Sequence, residues 1–76
     1  MKIQILGTGC PKCKQLAANT EQAVRELGVN ADVVKVTSIK GIMEFKVLTT
    51  PALVVDGQVK SAGKILSPDE IKKHLV

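Results

Sequence analysis

The sequence predicts a small α/β fold with elements in the order β-α-β-α-β-β-α, a four-stranded mixed sheet with three helices, and residues 1–76 as a single domain. Three observations carry the prediction. Short β-branched runs alternate with segments of helical periodicity. An Asp-Gly pair separates two strand-like runs, and the last segment opens on a complete helix cap.

The first strand is Lys2-Ile3-Gln4-Ile5-Leu6, which alternates in part and stops at the loop Gly7-Thr8-Gly9. From Pro11 to about Leu27 the small or apolar residues Cys13, Leu16, Ala17, Thr20, Val24 and Leu27 recur at helical spacing, and Gly28 is a suitable stop. Ala31 to Val36 is a second strand whose apolar content is Val33, Val34 and Val36. Thr37 or Ser38 can then cap a short helix with Ile39, Ile42 and Met43 on one stripe and Phe45 near its end. That stripe, Met43 included, is expected in the core, although Gly41 costs the helix about 1 kcal/mol against alanine.

Thr49-Thr50-Pro51 interrupts the chain before Ala52-Leu53-Val54-Val55, Asp56-Gly57 and Gln58-Val59-Lys60-Ser61-Ala62. This is a hairpin, because a type I′ turn needs positive φ at both central residues and Asp-Gly supplies it. In the last helix Ser67 stands at N-cap, Pro68 at N1 and Glu70 at N3, completing a capping box. Leu66 is placed to staple onto Ile71, and Leu75 continues the buried stripe. The crossover between the first two strands makes them parallel; the last two are antiparallel.

Size and composition narrow the function. A domain of 76 residues buries only a little over about 60% of the surface its unfolded chain exposes. Its core must be aliphatic, since Phe45 is the only aromatic residue. The formal charge is +4, but the lysines run from Lys2 to Lys73 without a dense cluster or interleaved aromatics. Such a pattern is a solvated surface and a poor nucleic-acid footprint. The apolar stretch at Met1–Leu6 is too short for a secretory leader, and nothing approaches the ~18 consecutive apolar residues of a membrane span. The expectation is a cytoplasmic monomer with neither nucleic acid nor membrane as partner.

The chemistry rests on Cys10-Pro11-Lys12-Cys13 at the first strand-to-helix junction. A disulfide there closes a ring of about four residues, worth only about 2 kcal/mol by chain entropy, against ~3 for a 15-residue loop. As a staple it is weak, so the pair is metal-binding or catalytic. If the helix begins near Cys10, Cys13 lies one turn further in on the stripe of Leu16 and Ala17, while Cys10 lies off it. One sulfur is then exposed at the helix N-terminus and the other shielded, as a nucleophile and a resolving thiol require. The thiolate is the reactive form, and an unperturbed cysteine is only about 3% ionised at pH 7. The helix N-terminus, Lys12, Lys14 and the neighbouring thiol can together raise that fraction. Pro11 suits the first helical position, and Lys12 is a candidate for tuning the thiolate. His74, near the end of the last helix, is better placed as a cation at a helix C-terminus than as a metal ligand.

CxxC also occurs in soft-metal sites, which keeps a copper-binding chaperone as the alternative. Small heavy-metal-associated domains open their first helix on two thiols, but they carry Met where this chain has Thr8, and their β-α-β-β-α-β order ends in a strand. The chain also has no GxGxxG-type nucleotide fingerprint. A redox role therefore calls for a separate reductase and no bound cofactor beyond the Cys10–Cys13 disulfide.

Pro51 at the start of a strand marks an irregular entry to the sheet. Taken with Cys10-Pro11-Lys12-Cys13 after a strand, Thr50-Pro51-Ala52-Leu53-Val54-Val55-Asp56-Gly57 entering a hairpin and Gly63 after the fourth strand, the chain resembles the thioredoxin superfamily over nearly its whole length. The likeness is strongest to the very small "redox-active disulfide" proteins of prokaryotes. It implies a thioredoxin-like fold and a protein-disulfide oxidoreductase with Cys10 and Cys13 as catalytic residues and no metal. It implies that Pro51 is cis and packs beside the cysteines, that the Thr50 backbone pairs with an extended substrate, and that Gly63 flanks the same groove. The partners it implies are protein disulfides and a thioredoxin-reductase-like flavoprotein. The chain departs from typical members at Gly9, where they have Trp, and at Gln4, where they have a buried acid.

Overall fold

Alternation along the first strand decides which layer each helix occupies. The computed structural model describes residues 1–75 and contains β1 (Lys2–Leu6), α1 (Pro11–Leu27), β2 (Asp32–Val36), α2 (Ile39–Met43), β3 (Ala52–Val55), β4 (Gln58–Ala62) and α3 (Pro68–Leu75). The strands form one sheet in the order β2-β1-β3-β4. β1 runs parallel to β2, with Leu6 opposite Val36, and antiparallel to β3, with Leu6 opposite Ala52. β3 and β4 are antiparallel.

Ile3 and Ile5 of β1 join Leu53 and Val55 of β3 on one face, where they pack with Leu16, Ala17 and Ala23 of α1 and Ile71 and Leu75 of α3. Leu6, Ala52 and Val54 point to the other face and meet Ile42 of α2, with Phe45 and Val47 alongside. The period of 2 in each strand thus divides the apolar residues between two layers: α1 and α3 cover one face, α2 the other. β3 carries side chains into both and is buried along its whole length. This is the thioredoxin-like α/β architecture that the sequence predicts.

Local signals explain the element boundaries. Asp56 and Gly57 have φ of 49° and 83°, the positive values a type I′ hairpin demands. At α3 the Ser67 hydroxyl accepts from the Glu70 amide at 3.2 Å while the Ser67 amide donates to the Glu70 carboxylate at 3.2 Å, so the capping box is closed in both directions. Buried Leu66 packs in the same cluster as Ile71. An ion pair between Lys72 and Glu26 ties α3 to the last turn of α1. Ser38 caps α2 by accepting from the Gly41 amide at 3.1 Å. β2 begins at Asp32 rather than Ala31, because the Asp32 amide is the first to bond across, to the Met1 carbonyl at 2.9 Å.

One sequence expectation fails in α2. Ile39 and Met43 are each 66% exposed, and only Ile42 of that stripe is buried. The helix spans five residues, little more than one turn, and a single turn tangent to the sheet presents one side chain to it. The second core therefore draws on Phe45 and Val47 beyond the helix end. α3 follows β4 as the last described element, so the order differs from the β-α-β-β-α-β of small metal chaperones.

Candidate active site

Parallel pairing of β1 with β2, together with antiparallel β3, brings four chain segments to one end of the sheet. These are the β1–α1 loop, the end of β2, the entry to β3 and the exit from β4. Cys10 is the N-cap residue of α1, with extended backbone, and Pro11 occupies the first helical turn. Pro11 has no N–H, so the free amides of this turn that reach the Cys10 sulfur belong to Lys12 and Cys13.

The two sulfurs lie 2.8 Å apart, within hydrogen-bonding distance, and both cysteines are free thiols. Their surroundings differ. Cys10 is partly exposed, whereas Cys13 is only 6% exposed beneath it on the α1 face that includes Leu16 and Ala17. The Cys10 thiol is held below the ordinary cysteine range, first by the hydrogen bond from the Cys13 thiol and then by the Cys13 amide, with the Lys12 amide adding to them. The Cys13 thiol is pushed up, first by burial and then by its bond to Cys10. The larger pull on Cys10 comes from hydrogen bonding to its thiolate form. Lys12 takes part through its backbone amide.

Gly7, at the end of β1, makes room for this pair. A Cβ on Gly7 would overlap Cys13 Sγ, and its position lies 4.0 Å from Pro51 Cα. Gly7 thus sits between the buried sulfur and Pro51, which is itself fully buried and joined to Thr50 by a cis peptide bond. The expected proximity of Pro51 to the cysteines is present. Thr50 is exposed, and among the described residues no backbone hydrogen bond engages it. The ladder with β1 starts one residue after Pro51, at Ala52.

Gly63 donates its amide to the Pro51 carbonyl at 2.8 Å, which places it beside the same entry. A Cβ there would come within 2.7 Å of Thr49 Oγ1, so the first thing a side chain would meet is this chain's own Thr49. Gly9 has φ of 93° and open space where a Cβ would stand. Backbone conformation rather than crowding favours glycine at that position.

A cleft of about 180 Å³ opens against Cys13, lined by Ile5, Gly7, Gly9, Cys13, Lys14, Lys35 and Thr37. No carboxylate lines it. Gln4 is half-buried and pairs with Val34 and Val54. Alternation puts it on the α2 face with Val54, away from the layer of α1. The sequence carries no signal that Gly7, Lys35 and Thr37 belong to the site. Gly7 reads there as a loop glycine, and the two β2-end residues become visible only through the parallel register Ile5–Lys35.

Among the described residues no group of three or more His, Cys, Asp or Glu side chains is arranged to hold a metal ion, and no helix is long and apolar enough to cross a membrane. Comparison with known proteins agrees with the geometry. The family model for the thioredoxin domain matches residues 1–76. A thioredoxin of Methanothermobacter thermautotrophicus is 45% identical over 75 residues, covering 99% of this chain and 97% of that protein. A thioredoxin of Methanocaldococcus jannaschii is 48% identical over 73 residues, covering 96% of this chain and 84% of its own length. A match at this level over both chains, on a fold with two thiols at an open helix N-terminus, places the chain in the thioredoxin family as a protein thiol-disulfide oxidoreductase.

Proposed function

We propose that the protein reduces protein disulfides, with Cys10 as the attacking thiolate and Cys13 as the resolving thiol. The observation that carries this reading is the asymmetry of a close pair: 2.8 Å between sulfurs, one partly exposed and lowered in pKa, the other buried and raised. Cys10 thiolate attacks one sulfur of the substrate disulfide, forms a mixed disulfide and expels the other substrate sulfur as a thiolate, which takes a proton from water. Cys13 then loses its proton and attacks Cys10 Sγ. The second substrate thiolate leaves, and two electrons have passed from the dithiol to the substrate.

The order of attack follows from access and ionisation together. Only Cys10 is open to a protein substrate, and only its thiolate is stabilised in the resting dithiol. Once Cys10 is in a mixed disulfide it no longer receives the Cys13 hydrogen bond, and the buried thiol is already within reach of the bond it must break. Pro11 and the Lys12 amide shape the helix start that holds Cys10. The unpaired Thr50 backbone supports recognition of an extended substrate segment by strand addition, with Pro51 and Gly63 forming the floor and flank of that groove.

In this reading residues 1–76 act as one domain, as a cytoplasmic monomer without a bound cofactor, and a thioredoxin-reductase-like flavoprotein restores the dithiol. Insulin reduction tests it. The wild type should precipitate the insulin B chain in the presence of dithiothreitol, and Cys10→Ser should not. A wild-type protein that binds one Cu(I) tightly, forms no reducible Cys10–Cys13 disulfide and leaves insulin intact would overturn the assignment in favour of metal carriage.

A further inference from the structure

The sequence spreads its lysines along the chain, but the fold collects them. Lys12 and Lys14 lie in the first turn of α1, and Lys35 shares the Cys13 cleft with Lys14. Lys40 is on α2, whose Ile42 packs against Leu6 and Ala52 at the cysteine end of the sheet. Lys46 is on the connection from α2 to Pro51, and Lys64 follows Gly63, which bonds the Pro51 carbonyl. All six side chains are exposed, and none forms an ion pair among the described residues. Glu44 caps the C-terminal end of α2, and Glu70 of α3 lies within electrostatic reach of Lys64.

The whole chain has 11 basic and 7 acidic side chains. Apart from those six lysines and Glu44, the chain has six carboxylates and five basic groups, on β1, α1, β2, the β3–β4 hairpin and α3, and is close to neutral. Several of those carboxylates are engaged: Glu26 and Asp69 with Lys72, Glu70 in the α3 cap, Asp56 with the Lys2 amide. The formal +4 of the protein thus comes from the six-lysine group and not from the rest of the chain. Three exposed apolar side chains stand within that field: Ile39 and Met43 at 66% and Leu48 at 100%. Leu48 is two residues from Thr50.

We infer that the cysteine end is a docking face for acidic protein partners, in which a lysine rim steers the encounter and Ile39, Met43 and Leu48 supply apolar contact. The inference rests on the oxidoreductase reading and extends it to the class of substrate. A one-sided field of this kind raises association rates with oppositely charged partners and discriminates against like-charged ones. The centre of the face is aliphatic and its only nearby aromatic, Phe45, packs against the core, so it offers no platform for stacking bases. A protein surface with an acidic rim is the complement.

Three disulfide-linked peptide dimers of equal length test this, with Glu-Glu-Gly-Cys-Gly-Glu-Glu, its Ser-for-Glu neutral counterpart and its Lys-for-Glu basic counterpart as the monomers. The protein, reduced and freed of reductant, is mixed with each, and second-order rate constants are measured at about 10 mM and about 0.5 M salt. The acidic dimer should react about tenfold faster than the neutral one at low salt and the basic dimer slower, with the spread collapsing at high salt. The double variant K40E/K46E, which alters neither the cysteines nor the first turn of α1, should lose most of the acidic preference while reducing the neutral peptide at the wild-type rate. Equal low-salt rates for all three peptides, or an unchanged preference in K40E/K46E, would overturn the docking face and leave the oxidoreductase reading standing. Failure to reduce any peptide would overturn both, and micromolar binding of duplex DNA at physiological salt would reassign the lysine face to nucleic acid.

Discussion

Gly7 and Cys13 are mutually exclusive beyond a hydrogen atom: the volume a Gly7 side chain would need is filled by Cys13 Sγ. The end of β1 and the first turn of α1 are therefore fitted to one another at the buried sulfur, and the depth at which Cys13 sits depends on the missing side chain. Gly7→Ala should force the sulfur or the helix start to move. We expect a loss of about 1–3 kcal/mol, the usual cost of overpacking, in chemical denaturation of the reduced protein. Slower closure of the Cys10–Cys13 disulfide should accompany it, whereas Ala18→Gly on the exposed face of α1 should leave closure unchanged.

The rate of Cys10 attack should rise with pH around a midpoint below that of an ordinary cysteine, because the Cys10 thiol is lowered in the fold. The largest contribution is the Cys13 thiol hydrogen bond, which favours the thiolate. Cys13→Ala removes that donor and should shift the midpoint upward. Iodoacetamide alkylation followed across pH reads this directly. A midpoint unchanged in Cys13→Ala would assign the effect to the helix amides alone.

The two sides of α2 should respond in opposite ways. Ile42 is 6% exposed and Met43 66%, so Ile42→Ala should cost about 2–4 kcal/mol and Met43→Ala no more than about 0.5 kcal/mol. Urea unfolding of the two variants separates them. Comparable losses would mean that Met43 packs against the core after all.

At α3, Ser67→Ala removes the hydroxyl that accepts from the Glu70 amide and should destabilise the protein by about 1 kcal/mol. Glu70 is lowered in pKa, chiefly by the Ser67 amide. A depressed carboxylate stabilises the fold above its unfolded pKa and loses that contribution as pH falls through the folded one. The wild-type advantage over Glu70→Gln should therefore be present at neutral pH and vanish in acid, as a thermal-melt series at several pH values would reveal.

Much of this was legible from residue order because local chemistry and tertiary packing agree. Ser67-Pro68-Asp69-Glu70 writes a cap that closes as written, Asp56-Gly57 turns as its φ preference demands, and the period of the α1 residues places Cys13 inward. The departures arise where position depends on another element. Met43 fits a helical stripe, but α2 is too short to bury it. Gly9 and Gly7 look equivalent in the loop, yet one answers to backbone conformation and the other to a sulfur brought in by α1. Lys35 reaches the Cys13 cleft only because β2 pairs in parallel with β1, which brings it to Lys14 from a distant part of the chain.

The division of labour between the two sulfurs is most directly tested by trapping. Cys13→Ser and Cys10→Ser variants are each mixed with a disulfide-linked peptide substrate, and covalent adducts are identified by mass spectrometry. Cys13→Ser should accumulate a stable mixed disulfide through Cys10, and Cys10→Ser should form little adduct over the same time because its remaining thiol is buried and raised in pKa. Equal trapping by the two variants, or faster trapping through Cys13, would contradict the account.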